Sequence, residues 1–243
     1  KAIMPVHLAG NPANMSKLIP LAQNFGIPII EDSAQAVGAT YEDKKLGSFG
    51  IASMFSLHPL KNLGVMGDGG VITSDDSALV DKIRKLRNHG LIDRDHCELW
   101  GYNSRLDELQ AGIATLRLRD LPSKTERIRG IANYYNQELG DLVKIPMSYP
   151  GADSVFHNYI IHSDSRDSLR DYLDKIGIET KVHYPIPIHL QECAQDLGYK
   201  KGDFPNAEYQ STNSLSLPIY PELSDTQVSS IVSEVKNFFR KGP

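Results

Sequence analysis

Short apolar runs alternate with amphipathic stretches in the first half of the chain. Residues 27–30 are almost continuously apolar, which is typical of a strand buried on both faces of a parallel sheet. Between such runs, apolar residues recur at helical spacing. This alternation predicts an α/β sheet. The predicted strands are 3–8, 27–30, 51–56 and 70–73, and the predicted helices are 14–25 and 75–87.

From residue 106 the pattern becomes helical. Apolar residues mark a first helix over 106–118, and Pro122 suits the start of a second over 122–140, because its missing N–H is not needed in the first turn. This second helix is expected to link two domains. The remainder predicts a small α+β domain, with strands at 155–162 and 179–184 and helices at 165–176, 206–213 and 225–239. We therefore predict a large domain at 1–140 and a small one at 141–243.

Composition excludes several classes of protein. The 243 residues are 40% hydrophobic and 23% charged, as in ordinary globular domains. A net charge of −4 offers no basic surface of the kind that binds nucleic acid. No apolar run approaches the length of a membrane span. The two cysteines, Cys97 and Cys193, have no zinc-site spacing, so we expect no metal, free thiols and a cytoplasmic location.

Two side chains of complementary chemistry each follow a predicted strand. Asp32 follows the strand 27–30 and Lys61 follows the strand 51–56. Ligands of open α/β sheets bind at the carboxyl ends of the strands. A carboxylate there can pair with a protonated pyridine nitrogen, and a buried lysine can serve as a nucleophilic amine. Together they predict a pyridoxal phosphate (PLP) site, although each residue alone would be interpreted as a helix cap or a solvated charge.

Neighbouring residues extend this candidate site. Gln35 could donate a hydrogen bond to a ring oxygen, and Ser56 could bind a phosphate oxygen. His58 could stack on a ring, orient the lysine loop, or only pack. The glycine-rich run 64–70 is expected to allow close backbone approach and positive φ angles. It matches neither the dinucleotide-binding nor the P-loop pattern.

Six segments, in this order, resemble the DegT/StrS family of sugar-nucleotide aminotransferases, and together they extend over almost the whole chain. They are IEDSAQA at 30–36, SLHPLKNLG at 56–64, GDGG at 67–70, RNHG at 87–90, GYNSRLDELQ at 101–110 and HYPIPIHLQ at 183–191.

The resemblance implies a fold-type-I PLP enzyme. Such an enzyme has a large domain with a mostly parallel sheet, a smaller α+β C-terminal domain, and a homodimer with a shared active site. By the matching segments, Lys61 is implied to bind the cofactor covalently and Asp32 to pair with its pyridinium. Gln35 is implied to contact the ring hydroxyl, and Ser56 the phosphate. Asn103 is implied to reach the cofactor phosphate across the dimer interface.

The resemblance also implies a reaction and a substrate class. An amino group would pass from L-glutamate to a nucleotide-linked keto-deoxysugar, and the form of the 101–110 segment is more similar to members acting at sugar C3 than at C4. His183, Tyr184 and His189 fall in the stretch that borders the sugar pocket, with ordinary packing as their alternative.

Several alternatives remain open. They are transamination at C4, a non-nucleotide keto-cyclitol as acceptor, and a non-catalytic PLP-binding dimeric scaffold. Sugar dehydratases of the same fold carry histidine at the position of Lys61, so this lysine argues against them. The resemblance further implies a segment before Lys1 that supplies phosphate ligands and an aromatic ring, and we expect residues 1–243 to hold only part of the site.

Overall fold

The computed structural model describes residues 1–242, which form two compact units. Unit 1 comprises Lys1–Glu126 and Ser148–His157, and unit 2 comprises Arg127–Met147 and the chain from Asn158 onward. Strands and helices alternate in unit 1, which confirms the predicted α/β class. No helix within residues 1–242 combines the length and the apolar character needed to cross a membrane.

The central sheet of unit 1 has the strand order β1-β4-β5. Strands β1 (Ile30–Asp32) and β4 (Ala52–Ser56) are parallel, and β5 (Gly70–Thr73) runs antiparallel to β4. The strand predicted at 3–8 is wrong: only isolated parallel bridges form, from Ile3 and Val6 to the β1 side of the sheet. Pro5 lacks the N–H that a continuous ladder requires, and a 3-10 helix begins at Leu8.

A second, antiparallel sheet of unit 1 combines distant parts of the chain. Its order is β3-β2-β6, formed by β3 (Lys44–Lys45), β2 (Thr40–Tyr41) and β6 (Ala152–Asp153). The main core lies nearby and joins it to the first helix and the central sheet. Its buried members are Met15, Ala22, Ile29, Ala36, Ala39, Tyr41, Leu46 and Val155.

Local signals placed the helices of unit 1 well. Helix α1 (Met15–Phe25) begins after Asn14, whose side chain accepts a hydrogen bond from the Lys17 N–H, and it ends at Gly26 in the left-handed conformation. Helix α2 (Ser77–Leu86) begins in the same way after Asp76. These caps satisfy backbone groups that the ends of a helix leave unpaired. Both predicted helices are therefore confirmed.

The prediction of two helices on either side of Pro122 is wrong. A single helix, α3 (Glu108–Leu139), contains Pro122 in its interior. An interior proline costs a helix about 3 kcal/mol. Near Pro122, however, α3 buries Leu121 and Ile128, and full burial of one such side chain contributes about 1.5–3 kcal/mol. Packing of the helix therefore outweighs the local signal to stop.

Unit 2 is an α+β arrangement around a two-stranded antiparallel sheet of β7 (Tyr159–His162) and β8 (Ser214–Leu217). The strand predicted at 155–162 is shorter because Phe156 has a φ of 43°, which interrupts an extended backbone. At 179–184 only Lys181 pairs with the sheet, through Ser216. The remaining elements are α4 (Arg166–Lys175), α5 (Pro205–Asn213), α6 (Asp225–Lys241) and 3-10 helices at Ile188–Leu190 and Glu192–Leu197.

Candidate active site

The parallel pairing of β1 and β4 brings two predicted site residues to one edge of the sheet. Asp32 is the last residue of β1 and lies opposite Met54, and Ser56 is the last residue of β4. Since both strands end there, their polar side chains lie where an α/β sheet binds ligands. Lys61 follows β4 after a short turn, close enough to Asp32 for an electrostatic interaction.

A tight turn holds Lys61 in a partly buried position. Its N–H donates to the His58 carbonyl at 2.8 Å, and the Val65 N–H closes the turn on the Leu57 carbonyl at 2.9 Å. Within residues 1–242 the Lys61 amine forms neither a hydrogen bond nor an ion pair. Burial lowers the pKa of Lys61, and Asp32 raises it by less. A larger share of this amine is therefore neutral than in an ordinary lysine.

The Asp32 carboxylate is held in place and forms no ion pair among the described residues. Its Oδ1 accepts a hydrogen bond of 3.1 Å from the Ala34 N–H, and its backbone N–H donates to Pro5 at 2.9 Å. No cation in the described part of the chain lies within ion-pair distance of it. A half-buried negative charge without a partner fits a ligand that brings a positive charge, as a protonated pyridine ring does.

The amide of Gln35 has a defined orientation. The Ala9 N–H lies 2.6 Å from the Gln35 side-chain oxygen. Because a backbone N–H can only donate, the atom it meets must be the carbonyl oxygen of the amide. The Nε2 group of Gln35 is then left as a donor, with no partner among the described residues. This orientation fits the expected hydrogen bond from Gln35 to an oxygen on the cofactor ring.

Ser56 and His58 stabilise the start of the lysine turn. The Ser56 hydroxyl oxygen accepts from the His58 N–H at 3.2 Å, which leaves its proton available for an anionic ligand. The exposed His58 ring accepts from the Leu60 N–H through Nδ1, also at 3.2 Å. Of the three roles considered for His58, these bonds favour orientation of the lysine loop.

The glycine-rich run lets neighbouring atoms come close to its backbone, but its glycines do not adopt positive φ angles. Gly64, Gly67, Gly69 and Gly70 are absent from the positive-φ glycines, so that part of the expectation is wrong. A Cβ atom at Gly64 would lie 2.3 Å from the Pro59 carbonyl oxygen, and one at Gly69 would lie 2.7 Å from Leu106. The absence of a side chain therefore closes the lysine turn tightly and packs the run against Leu106.

The structure does not bring Asn103 to the other candidates within one chain. Asn103 is exposed, its backbone pairs with Asn88, and its side-chain oxygen accepts from Arg105 Nε at 3.2 Å. No hydrogen bond or ion pair joins it to Lys61 or Asp32 in residues 1–242. Its role at a dimer interface stays a prediction.

The three predicted sugar-pocket residues belong to unit 2. His183 is half-buried with Nδ1 2.8 Å from the Ser216 hydroxyl, and Tyr184 is exposed. His189 is buried, its Nε2 lies 3.0 Å from Glu208, and its ring packs against Phe204. The contacts of His189 are those of a packed residue, so the packing alternative remains open for it, while Tyr184 has the exposure that substrate contact needs.

Three residues near the candidate site carry no assignment from the sequence. Glu31 and His7 are fully buried and hydrogen-bonded to each other, and Asn62 donates from Nδ2 to the Val155 carbonyl at 3.1 Å. The sequence did contain a signal for Glu31. Glu31 and Asp32 are consecutive on a strand, and successive side chains point to opposite faces of the sheet, so the two carboxylates cannot share one site. The sequence pattern did not predict that His7 would be the partner of Glu31.

Comparison with known proteins shows the family of the chain. The model of the DegT/DnrJ/EryC1/StrS aminotransferase family matches residues 1–236. The chain belongs to this family. The resemblance inferred from the six segments is thereby confirmed.

Curated relatives place the chain among named sugar aminotransferases and a regulator. It is 43% identical to a pleiotropic regulatory protein of Geobacillus stearothermophilus, over 99% of this chain and 66% of the relative. It is 40% identical to UDP-N-acetyl-3-dehydro-alpha-D-glucosamine 3-aminotransferase of Acidithiobacillus ferrooxidans, over 97% and 64%. It is 39% identical to dTDP-3-amino-3,4,6-trideoxy-alpha-D-glucose transaminase of Streptomyces venezuelae, over 98% and 63%. The chain thus spans about two thirds of the length of these relatives.

Solved structures confirm the fold-type-I architecture of the family. A crystal structure of S. venezuelae DesV in complex with a ketimine intermediate has a TM-score of 0.95 and 39% identity, over 98% of this chain and 64% of that one. The structure of NtdA from Bacillus subtilis with bound cofactor PMP has a TM-score of 0.88 and 27% identity, over 98% and 56%.

Proposed function

We propose that the protein containing this chain is a PLP-dependent aminotransferase that moves an amino group from L-glutamate to C3 of a nucleotide-linked keto-deoxysugar. The observation that carries the proposal is the pair formed by Lys61 and Asp32. The lysine amine has a lowered pKa and no hydrogen bond or ion pair in residues 1–242, and the carboxylate beside it forms no ion pair within these residues. Amine and carboxylate are the two groups that a PLP site requires.

The chain's own residues would hold PLP by their charges and donors. Asp32 keeps a proton on the pyridine nitrogen, Gln35 donates from Nε2 to a ring oxygen, and the Ser56 hydroxyl donates to the phosphate. Bound PLP supplies a sink for the electron pair that remains when a carbon–hydrogen bond breaks.

Lys61 is proposed as the acid–base group as well as the point of attachment. With its amine neutral, Lys61 would accept the α-proton of the amino donor and hold it for return in the same half-reaction. In the second half of the reaction it works in the opposite direction. General acid–base groups work best when their pKa lies near the working pH, and burial moves the pKa of Lys61 in that direction.

Partners and substrate are proposed on the same basis. Exposed Asn103 would complete the site of a second copy in a homodimer, and His183, Tyr184 and His189 would border the sugar. Two relatives have names that specify an amino or aminotransferase function at position 3, one with UDP and one with dTDP, which supports C3 and leaves the nucleotide open. We propose a cytoplasmic location, supported by two exposed free cysteines.

The attachment at Lys61 can be tested directly. The full-length protein is incubated with PLP, reduced with borohydride, digested and analysed by mass spectrometry. The label is expected on the peptide that contains Lys61, and Lys61→Arg is expected to remove it. Label on a different lysine would overturn the assignment.

Substrate and position are tested by product analysis. The enzyme is supplied with L-glutamate and with matched 3-keto and 4-keto sugars, each linked to UDP and to dTDP. Nuclear magnetic resonance of the products is expected to show nitrogen at C3. Nitrogen at C4, or amination of a free keto-cyclitol in preference to every nucleotide sugar, would contradict the proposal.

A second candidate comes from a specific relative. The relative with 43% identity is named a pleiotropic regulatory protein, which favours a PLP-binding scaffold without turnover. The two candidates differ in one result: the scaffold binds PLP at Lys61 but aminates none of the four nucleotide sugars.

A further inference from the structure

The carboxylate of Glu31 lies at the centre of a buried cluster of donors. Glu31 is completely buried in β1, next to Asp32 in sequence. Its Oε1 accepts from the Phe49 and Gly50 N–H groups at 2.7 and 2.8 Å. Its Oε2 accepts from the Gly47 N–H at 2.8 Å and faces His7 Nε2 at 3.2 Å. Each oxygen therefore meets two donors.

Only an ionised carboxylate satisfies this arrangement. Burial by itself raises the pKa of Glu31. The hydrogen bonds from His7 and three backbone N–H groups together lower it by more than burial raises it, so the pKa lies below its ordinary value. A glutamine in either orientation would point its NH₂ group at two other donors. The four donors around residue 31 therefore require a negatively charged side chain at this position.

His7 connects this charge to the loop that precedes α1. Its Nδ1 accepts from the Ala13 N–H at 3.0 Å. Because Nδ1 accepts, the ring proton lies on Nε2 and is donated to Glu31. The fully buried imidazole therefore joins both ends of the segment 7–13 to the strand that carries Asp32.

The same segment orients Gln35. Ala9, in the left-handed conformation with φ of 58°, donates its N–H to the Gln35 side-chain oxygen at 2.6 Å. A second anchor lies next to it, where the Gly10 carbonyl accepts from the Val155 N–H at 3.0 Å and the Ser154 hydroxyl at 2.9 Å. Loss of His7 would therefore loosen the segment without releasing it entirely.

We propose that His7, held by the Glu31 carboxylate, is a positioning residue for Gln35. It keeps the segment 7–13 in the conformation in which the Ala9 N–H binds the Gln35 oxygen, and thereby presents Gln35 Nε2 toward the cofactor ring. This inference rests on the proposed PLP site, and it adds a pair of buried residues that touch neither cofactor nor substrate.

Two substitutions separate the bonds of His7. In His7→Asn the amide oxygen takes the place of Nδ1 and can still accept from Ala13, whereas the donor to Glu31 is lost. In His7→Gln the terminal NH₂ takes the place of Nε2 and can still donate to Glu31, whereas the acceptor for Ala13 is lost. Because the proposed link needs both bonds, each variant is expected to loosen the segment.

The first measurement needs no cofactor. Hydrogen exchange of the Ala9 amide, followed by nuclear magnetic resonance in the full-length protein without PLP, reports the bond to Gln35. Each His7 variant is expected to exchange about tenfold faster, the equivalent of one lost hydrogen bond. Tyr172→Phe, which removes a 2.7 Å bond to Glu234 in unit 2, serves as the matched control and should leave Ala9 unchanged. Wild-type exchange at Ala9 in either His7 variant would overturn the proposal.

The second measurement uses the PLP-loaded protein. The pH at which the visible absorption band of bound PLP changes is expected to shift in Gln35→Leu, and to shift in the same direction in both His7 variants. A purely structural role would lower their melting temperature but leave this midpoint at the wild-type value, which would also refute the proposal. If the wild type fails to bind PLP, the proposed function is wrong, and the exchange of Ala9 still decides the role of His7.

Discussion

Burial lowers the pKa of the Lys61 ammonium, and the charge of Asp32 opposes that shift without cancelling it. Lys61 follows β4 and Asp32 ends β1, and the parallel pairing of these two strands brings both residues to one edge of the sheet. Because burial outweighs the effect of Asp32, the lysine amine is more often neutral than that of an exposed lysine. Three predictions concern these two residues and the neighbouring Glu31, and a fourth concerns the start of α6 in unit 2.

Replacement of Lys61 by methionine should abolish attachment of PLP without lowering the free energy of unfolding at pH 7. The native pKa of Lys61 lies below the ordinary value of 10.5, so the unfolded state binds this proton more tightly. The cost to the wild type is complete below the native pKa and disappears as the pH rises toward 10.5. Urea unfolding between pH 7 and 10 should therefore show the advantage of Lys61→Met shrinking with pH, and an advantage that grows with pH would contradict the assignment.

Asp32→Asn should reduce the amination rate by about 10- to 1,000-fold, since a neighbouring opposite charge shifts a pKa by about 1–3 units. The asparagine oxygen can still accept from Ala34, so the melting temperature should change little. Asp43→Asn, on the exposed turn between β2 and β3, is the matched control and should retain the wild-type rate. A wild-type rate of the first half-reaction in Asp32→Asn would exclude the proposed role.

Glu31→Gln should lower the free energy of unfolding by about 3 kcal/mol, because it leaves buried donors without an acceptor. The pKa of Glu31 is below its unfolded value of 4.5, so its contribution is complete above that pH and is lost as the pH falls through the native pKa. Denaturation measured from pH 7 to pH 3 should therefore show that the free energy of unfolding falls less in Glu31→Gln than in the wild type. Glu126→Gln, on the exposed side of α3, should keep the wild-type slope.

Ser224→Ala should destabilise unit 2 by about 1 kcal/mol. Ser224 and Gln227 form a reciprocal capping box at the start of α6, where each side chain binds the other's backbone N–H. Ser229→Ala, one turn further along α6, should change the stability by less than about 0.5 kcal/mol. Differential scanning calorimetry compares the two, and equal effects would show that the capping box is not the cause. Trapping of PLP at Lys61 should be the same in both variants.

Elements with local signals were predicted from the sequence, and elements that depend on packing were not. Asn14 and Gly26 mark the ends of α1 correctly because a cap involves residues only a few positions apart. Pro122 gave an equally clear local signal, but Leu121 and Ile128 are buried in the folded protein, and the helix continues through the proline. Likewise, the strand expected at 179–184 keeps a single pairing, from Lys181 to Ser216 of β8.

The sequence by itself determined the chemistry of the candidate site: an aspartate and a lysine after two strands, with a serine and a glutamine near them, and membership of a family. Only the tertiary structure decided how those groups are held. The Gln35 amide keeps Nε2 as its remaining donor because Ala9 occupies its oxygen, and the buried Glu31 carboxylate is fixed by His7 and three backbone N–H groups. The sequence states the residue type at each position, whereas these contacts join segments that are distant in sequence and meet only when the chain folds.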